Sequence, residues 1–261
     1  MGLEQYAERF CEAGFAVLVY DNPHIGLSDG EPRFEINPWA RARATKDAVG
    51  FLSDLETVDA NRIAVWGDSG DAARVFLNAA TDDRISAVIS FNPTFGAEVP
   101  TSPPDPSVVA GIRDVMHAER LSEEMEATYG PAPVVSADPD REVMSPSPSA
   151  FRWFFEYGGR HGSGWENRWS YARNATGVPF SPYDCLPAVN VPVLMVVGRD
   201  DEIESCNPAA SRHALEQIVG PTVWHDVGGG HFGALYEDSP EFEEGVTAQI
   251  RFLSRVLGPA G

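Results

Sequence analysis

Two blocks of this 261-residue chain alternate short apolar runs with helical patterns, and an irregular, proline-rich stretch separates them. In the first block "FAVLVYD" (15–21), "RIAVWG" (62–67) and "ISAVISF" (85–91) read as strands; in the second, "VPVLMVVG" (191–198) and "TVWHDV" (222–227) do. Near-continuous apolar runs suit strands covered on both faces, and intervening helices supply the crossovers that parallel strands need. The pattern predicts an α/β fold: a mostly parallel sheet with helices on both faces.

The helices can be placed from their stripes and caps. Leu3, Tyr6, Ala7, Phe10 and Cys11 share one face of a helix over 3–13, which Gly14 stops. Asn37 and Pro38 are an N-cap and first-turn residue for a second helix, with an expected buried stripe of Ala48, Phe51, Leu52 and Leu55. Small residues (Ala72, Ala79, Ala80) with Val75 and Phe76 suit a helix packed close on the sheet, and further helices start near Asn207 and at Ser239 or Pro240. Between the blocks, prolines crowd at 100–106 and 131–148, and Phe151, Trp153, Phe154, Phe155, Trp165 and Trp169 follow. The expected organisation is a core over 1–94 and 186–261 with a cap inserted at 95–185. The cap should lie over the strands' C-terminal edge, where open α/β sheets bind ligands. Its aromatic residues are the candidate lining for a bulky or lipophilic substrate.

A net charge of −20 and a single lysine, Lys46, argue against nucleic acid or an anionic membrane surface as partner. No apolar run reaches the roughly 20 residues that span a bilayer, and residues 1–20 lack the layout of a signal peptide. Cys11, Cys185 and Cys206 are odd in number and scattered, as expected of reduced thiols in the cytoplasm. No histidine, cysteine or acid group has metal-site spacing and "GDSGDA" lacks a phosphate-binding lysine, so no metal and no cofactor are expected. The partner left is a small-molecule substrate, with a homodimer open.

Three of the strand ends carry a reactive side chain each. Ser69 follows "RIAVW" inside Gly67-Asp68-Ser69-Gly70-Asp71; Asp200 and Asp201 follow "VPVLMVVGR"; His231 follows "TVWHDV" inside "GGGHFG". A hydroxyl becomes a nucleophile when a base takes its proton and an acid orients that base. Alternatively, Ser69 is a plain helix cap, Asp201 a solvated loop acid and His231 a loop histidine satisfied by backbone. The other histidines lie elsewhere: His24, His117, His161 and His213 in helices or turns, His225 within a strand.

"GFAVLVYDNPHIGLSDGEPR", "RIAVWGDSGDAA", "VPVLMVVGRDDEI" and "GGGHFGALY" resemble, in this order, segments of α/β-hydrolases, most closely of bacterial serine hydrolases related to esterases and acyl-peptidases. The resemblance covers most of 3–95 and 186–257. It implies Ser69 as nucleophile, His231 as base, Asp201 as acid with Asp200 in reserve, and the Gly70 amide as an oxyanion donor. Ser69 and His231 should then lie within hydrogen-bond reach. The implied activity is cleavage of an ester, thioester or related acyl bond through an acyl-enzyme on Ser69. The same fold also serves a lyase or cyclase using His231 and Asp201 as acid and base, or a non-catalytic relative. Asp71 stands where the family's elbow has its last glycine, which raises the prospect of crowding and of unhelpful charge near the oxyanion. The chain also begins on the helix that follows three strands in the family. The expectation is that residues upstream of Met1 supply those strands and a second oxyanion donor, or else that the strands at 15–21 and 62–67 pair directly.

Overall fold

The computed structural model describes residues 2–160 and 163–258; His161 lies outside them. A four-stranded sheet forms its centre, built from β2 (Ile63–Asp68), β3 (Ile85–Phe91), β6 (Val193–Gly198) and β7 (Thr222–Val227). Its order is β2-β3-β6-β7 and every pairing is parallel. The crossovers are α3 (Gly70–Thr81) from β2 to β3 and α7 (Pro208–Glu216) from β6 to β7. Residues between β3 and β6 form α4 (Val109–His117), β4 (Met125–Ala132), α5 (Pro148–Gly158), β5 (Trp169–Asn174) and α6 (Pro182–Cys185). There β4 pairs antiparallel with β5, and β5 pairs parallel with β1 (Glu35–Ile36), which comes from ahead of the central sheet.

Side-chain alternation along the strands splits the core in two. Ile63 and Val65 of β2, Val88 of β3 and Val193, Met195 and Val197 of β6 face one cluster. It is completed by α2 (Pro38–Ser53), α3, α4 and α7. Ala87, Ile89 and Phe91, with Leu194 and Val196, face the other, formed by α1 (Glu4–Glu12), α5 and α9 (Pro240–Leu257). Both faces of the sheet are therefore covered, as the apolar strand runs require. Helix α3 is buried from Ala72 to Thr81, and Ser90 Oγ donates to Ala72 O at 2.9 Å where helix and strand meet. The caps fall where expected: Asn37 accepts from Ala40 N at 3.1 Å, and Ser239 from Phe242 N at 3.0 Å, each with proline next.

Three expectations need correction. Residues 15–20 form no strand, although Phe15 and Val17 pack on the second cluster. None of the six is buried, and Val19 and Tyr20 are exposed; among the described residues β2 bonds to β3 alone, so residues 15–21 and β2 do not pair and no neighbouring strand completes a backbone ladder. In α2 the buried residues are Trp39, Ala42, Thr45 and Val49, whereas Phe51 and Leu55 are exposed. Trp39 packs edge-on against Phe180, and Thr45 bonds Arg74 of α3; together they turn the helix away from the purely apolar stripe. Cys11 is exposed, and α1 buries Gln5 instead, whose amide donates to Leu235 O at 2.9 Å. Among the described residues no helix is long and apolar enough to cross a membrane.

Candidate active site

Ser69 occupies the one-residue corner between β2 and α3. Its φ of 56° and ψ of −122° lie outside every region that a side chain ordinarily allows. Such a conformation costs on the order of 1–3 kcal/mol and persists only where its surroundings enforce it. Here Ser69 N donates to Phe91 O at 2.9 Å and Ala72 N to Ser69 O at 3.0 Å, which pins the corner to β3 and to the helix. Gly67 is required as well, because a Cβ there would stand 2.5 Å from Asp71 O. The corner leaves Ser69 and Gly70 turned out at the C-terminal edge of the sheet, the geometry of a nucleophile elbow.

Asp71 does not crowd this corner. Its Oδ1 lies 3.0 Å from Arg74 Nη2 and 3.6 Å from Arg41 Nη1, and Asn22 Nδ2 reaches its other oxygen at 3.4 Å. Burial works to raise its pKa, but the two guanidinium groups outweigh that and hold it below the usual carboxylate value. Arg74 also binds Arg41 O at 2.9 Å and Thr45 Oγ1 at 2.6 Å, joining α3 to α2. The charge expected to disturb the oxyanion is thus paired with Arg74 and Arg41. Asp68 is held differently. Burial pushes its pKa up to about 7, with His231 opposing and Asp71 and Asp201 adding to the rise, and its Oδ1 is buried without a hydrogen-bond partner.

Asp201 and His231 come together. Asp201 Oδ2 lies 2.8 Å from His231 Nδ1, and both side chains are almost fully buried. Asp201 Oδ1 accepts from Ile203 N at 2.9 Å, which fixes the carboxylate's orientation. His231 is the second residue of the single-turn helix α8 (Gly230–Gly233), entered through Gly229 and Gly230 at φ 82° and 67°. Gly198 completes the close approach of the two loops, since a Cβ there would meet Gly230 O at 2.7 Å. Burial alone would lower the His231 pKa; hydrogen bonds to Asp201 and Cys206 and the charge of Asp68 overcome it and hold the ring well above 6.5. Asp201 rather than Asp200 is the partner.

The structure does not join all the predicted residues. Among the described residues no hydrogen bond links Ser69 Oγ to His231, so the Asp201–His231 pair forms without Ser69. Conversely, Cys206, which its sequence position gives no reason to place here, is buried beside His231. Donor atoms of Asp201, Cys206 and His231 lie within 4.8 Å of one another, a grouping invisible in linear spacing. Of the aromatic residues, Trp153 and Phe154 pack on Phe232, 5.4 Å and 6.3 Å between ring centres, and Phe232 in turn contacts His231. Trp165 stacks on Phe154, Phe151 pairs with Phe155, and Phe155 is exposed. Trp169 packs on Tyr129 within the smaller sheet. Phe232 and Glu202 escaped sequence reasoning. Glu202 accepts from His231 N at 2.8 Å and from Ser149 Oγ at the start of α5, linking the histidine turn to the aromatic helix. Two surface cavities of about 450 Å³, one lined by Pro23 and Arg43 and the other by Lys46 and Arg113, include none of Ser69, Asp201 and His231.

No family profile matches the chain. The quorum-quenching protein AidA of Acinetobacter baumannii is 26% identical, covering 98% of this chain and 82% of that protein. The thiohydrolase aneE of Aspergillus aculeatus is 27% identical, covering 96% and 80%. Among solved structures, the α/β hydrolase GrgF from Penicillium superposes with a TM-score of 0.69 at 24% identity, covering 98% of this chain and 84% of that one. With the parallel sheet, the strained serine corner and the Asp201–His231 pair at its edge, these likenesses lead to one conclusion: the chain has the fold of the α/β hydrolases.

Proposed function

We propose that the chain is a serine hydrolase that cleaves an ester or thioester of a bulky, lipophilic small molecule. Ser69 attacks the acyl carbonyl while His231 takes its proton, and Asp201 stabilises the imidazolium that results. The Gly70 amide, free at the start of α3, donates to the developing oxyanion. Water activated by His231 then releases the acid and regenerates Ser69. The observation that carries this reading is the backbone of Ser69, a strained corner with no structural need for a serine, since its side chain caps nothing. Substrate binding must close the gap between Ser69 Oγ and the ring, a tightening common once an acyl group fills the site.

In this reading 95–185 is the cap, and α5 brings Trp153, Phe154 and Trp165 over the histidine turn through Phe232. The thiohydrolase among its relatives favours a thioester, and three free cysteines accord with a reducing compartment. The test is turnover of nitrophenyl esters and acyl thioesters of increasing chain length. Ser69→Ala should lower kcat by about 10⁴-fold. Activity that survives this change but falls with His231→Ala would instead favour acid–base chemistry by His231 and Asp201 alone.

A further inference from the structure

Asn92 follows β3 directly, is 1% exposed and holds a left-handed φ of 47°. Asparagine is among the few residues besides glycine that tolerate this conformation. Its polar groups all find partners. The backbone N–H donates to Val196 O at 2.9 Å, and the carbonyl accepts from Cys206 Sγ at 3.4 Å. In the side chain, Oδ1 accepts from Gly198 N at 2.7 Å and Nδ2 donates to His231 O at 3.0 Å. Those partners fix the amide's orientation, because a peptide N–H only donates and a carbonyl only accepts. One residue earlier, Phe91 O accepts from Ser69 N. Two consecutive residues thus hold the nucleophile corner, the end of β6 that leads to Asp201, and the histidine turn.

We infer that Asn92 is the positioning residue of this site, its amide tying the backbone of His231 to the strand end that carries Asp201 and, through Phe91, to Ser69. The purpose of that positioning rests on the serine-hydrolase reading; the linkage itself does not. Bridging a peptide N–H and a carbonyl needs a donor and an acceptor on one short planar group. Aspartate keeps the acceptor and loses the donor; glycine keeps the left-handed backbone and loses both. The two variants therefore separate the arm to His231 from the arm to Gly198, and Asn92→Gly avoids the backbone strain that alanine would bring.

The experiment measures kcat and KM for a nitrophenyl ester on wild type, Asn92→Gly, Asn92→Asp and Ser69→Ala. In parallel, the His231 ring is titrated by NMR, its signal assigned with His231→Gln. Misplacing a reacting group by an ångström costs about 10²-fold. Asn92→Gly should lower kcat by about that factor with KM within about threefold, and Asn92→Asp should do no better. The His231 midpoint in Asn92→Gly should move from its raised value toward 6.5 as the bond to Asp201 loosens. Wild-type kcat in Asn92→Asp, or a lower melting temperature in Asn92→Gly with kcat and titration unchanged, would overturn the proposal. Full activity in Ser69→Ala would refute the hydrolase reading instead. The titration then decides for Asn92: a moved midpoint supports it and an unmoved one refutes it.

Discussion

Replacing Asp71 by glycine, the residue of the family's elbow, should weaken this protein rather than improve it. Asp71 lies against Arg74 at 3.0 Å and Arg41 at 3.6 Å, and the Arg74 side chain is only 6% exposed. At an effective dielectric of about 20, charges this close attract by roughly 5 kcal/mol, much of it offset by desolvation. Removing the acid does not recover that desolvation; it leaves two buried guanidinium groups without their counter-ion, a loss of about 3–5 kcal/mol in comparable pairs. The Asp71 side chain is 30% exposed, which places the cost toward the lower figure. A carboxylate in the first turn of α3 adds about 0.5 kcal/mol through the helix dipole. The sum, about 3–4 kcal/mol, corresponds to a fall in Tm on the order of 10 °C for a chain of this size. Asp71→Asn should fall between, and Asp71→Gly combined with Arg74→Met should lose less than the two single changes added together. Because the folded pKa of Asp71 is depressed, its contribution is full above the unfolded value of about 3.9 and fades as pH drops through the folded one. Thermal melts at pH 7 and pH 3, followed by circular dichroism, measure all of this. An Asp71→Gly protein that melts at or above wild type at pH 7 would show that the arginines do not depend on this acid.

Gly67→Ala should cost about 1–3 kcal/mol and slow labelling of Ser69 by a phosphonate probe, since its Cβ would meet Asp71 O at 2.5 Å; unchanged stability and labelling would contradict this. A base must be neutral to act, and His231 is held above 6.5 by groups that include Asp201, Cys206 and Asp68, so the acid limb of kcat/KM should lie above pH 6.5. Asp68→Asn removes one of those charges and should move the limb to lower pH, where an unmoved limb would refute its influence. Of the three thiols, Cys11 alone should react quickly with a disulfide reagent in the native protein, all three in denaturant. Cys185 is buried, which pushes its pKa up to about 12, and Cys206 is raised in the same direction; a second fast thiol would show the site to be open.

What the sequence makes legible here is what depends on local pattern. Ser69, Asp201 and His231 each follow an apolar strand, and parallel strands bring their C-terminal ends to one edge whatever lies between. Residues 15–20 show the limit of that logic: an apolar run becomes a buried strand only with a neighbour to receive its backbone bonds, and without one Val19 and Tyr20 are exposed. In α2, Thr45 is buried because Arg74 and Tyr20 bond its hydroxyl, at 2.6 Å and 2.7 Å, which no hydropathy pattern foresees. Asn92, Glu202 and Cys206 are illegible for a related reason. Each acquires its place at the site from groups far away in the chain, as with Asn92 and His231, which lie 139 residues apart. The concern raised by Asp71 is resolved partly in the same way, by Arg41 from another helix, and partly by Arg74 one turn along its own.

The central claim is that Ser69 is an activated nucleophile. The most direct measurement is to treat the protein with a fluorophosphonate, weigh it intact, and map the modified peptide by mass spectrometry. The account predicts one adduct per chain, on Ser69, abolished in Ser69→Ala and strongly slowed in His231→Ala. An adduct on another residue, or none from a folded protein that turns over acyl esters, would contradict it.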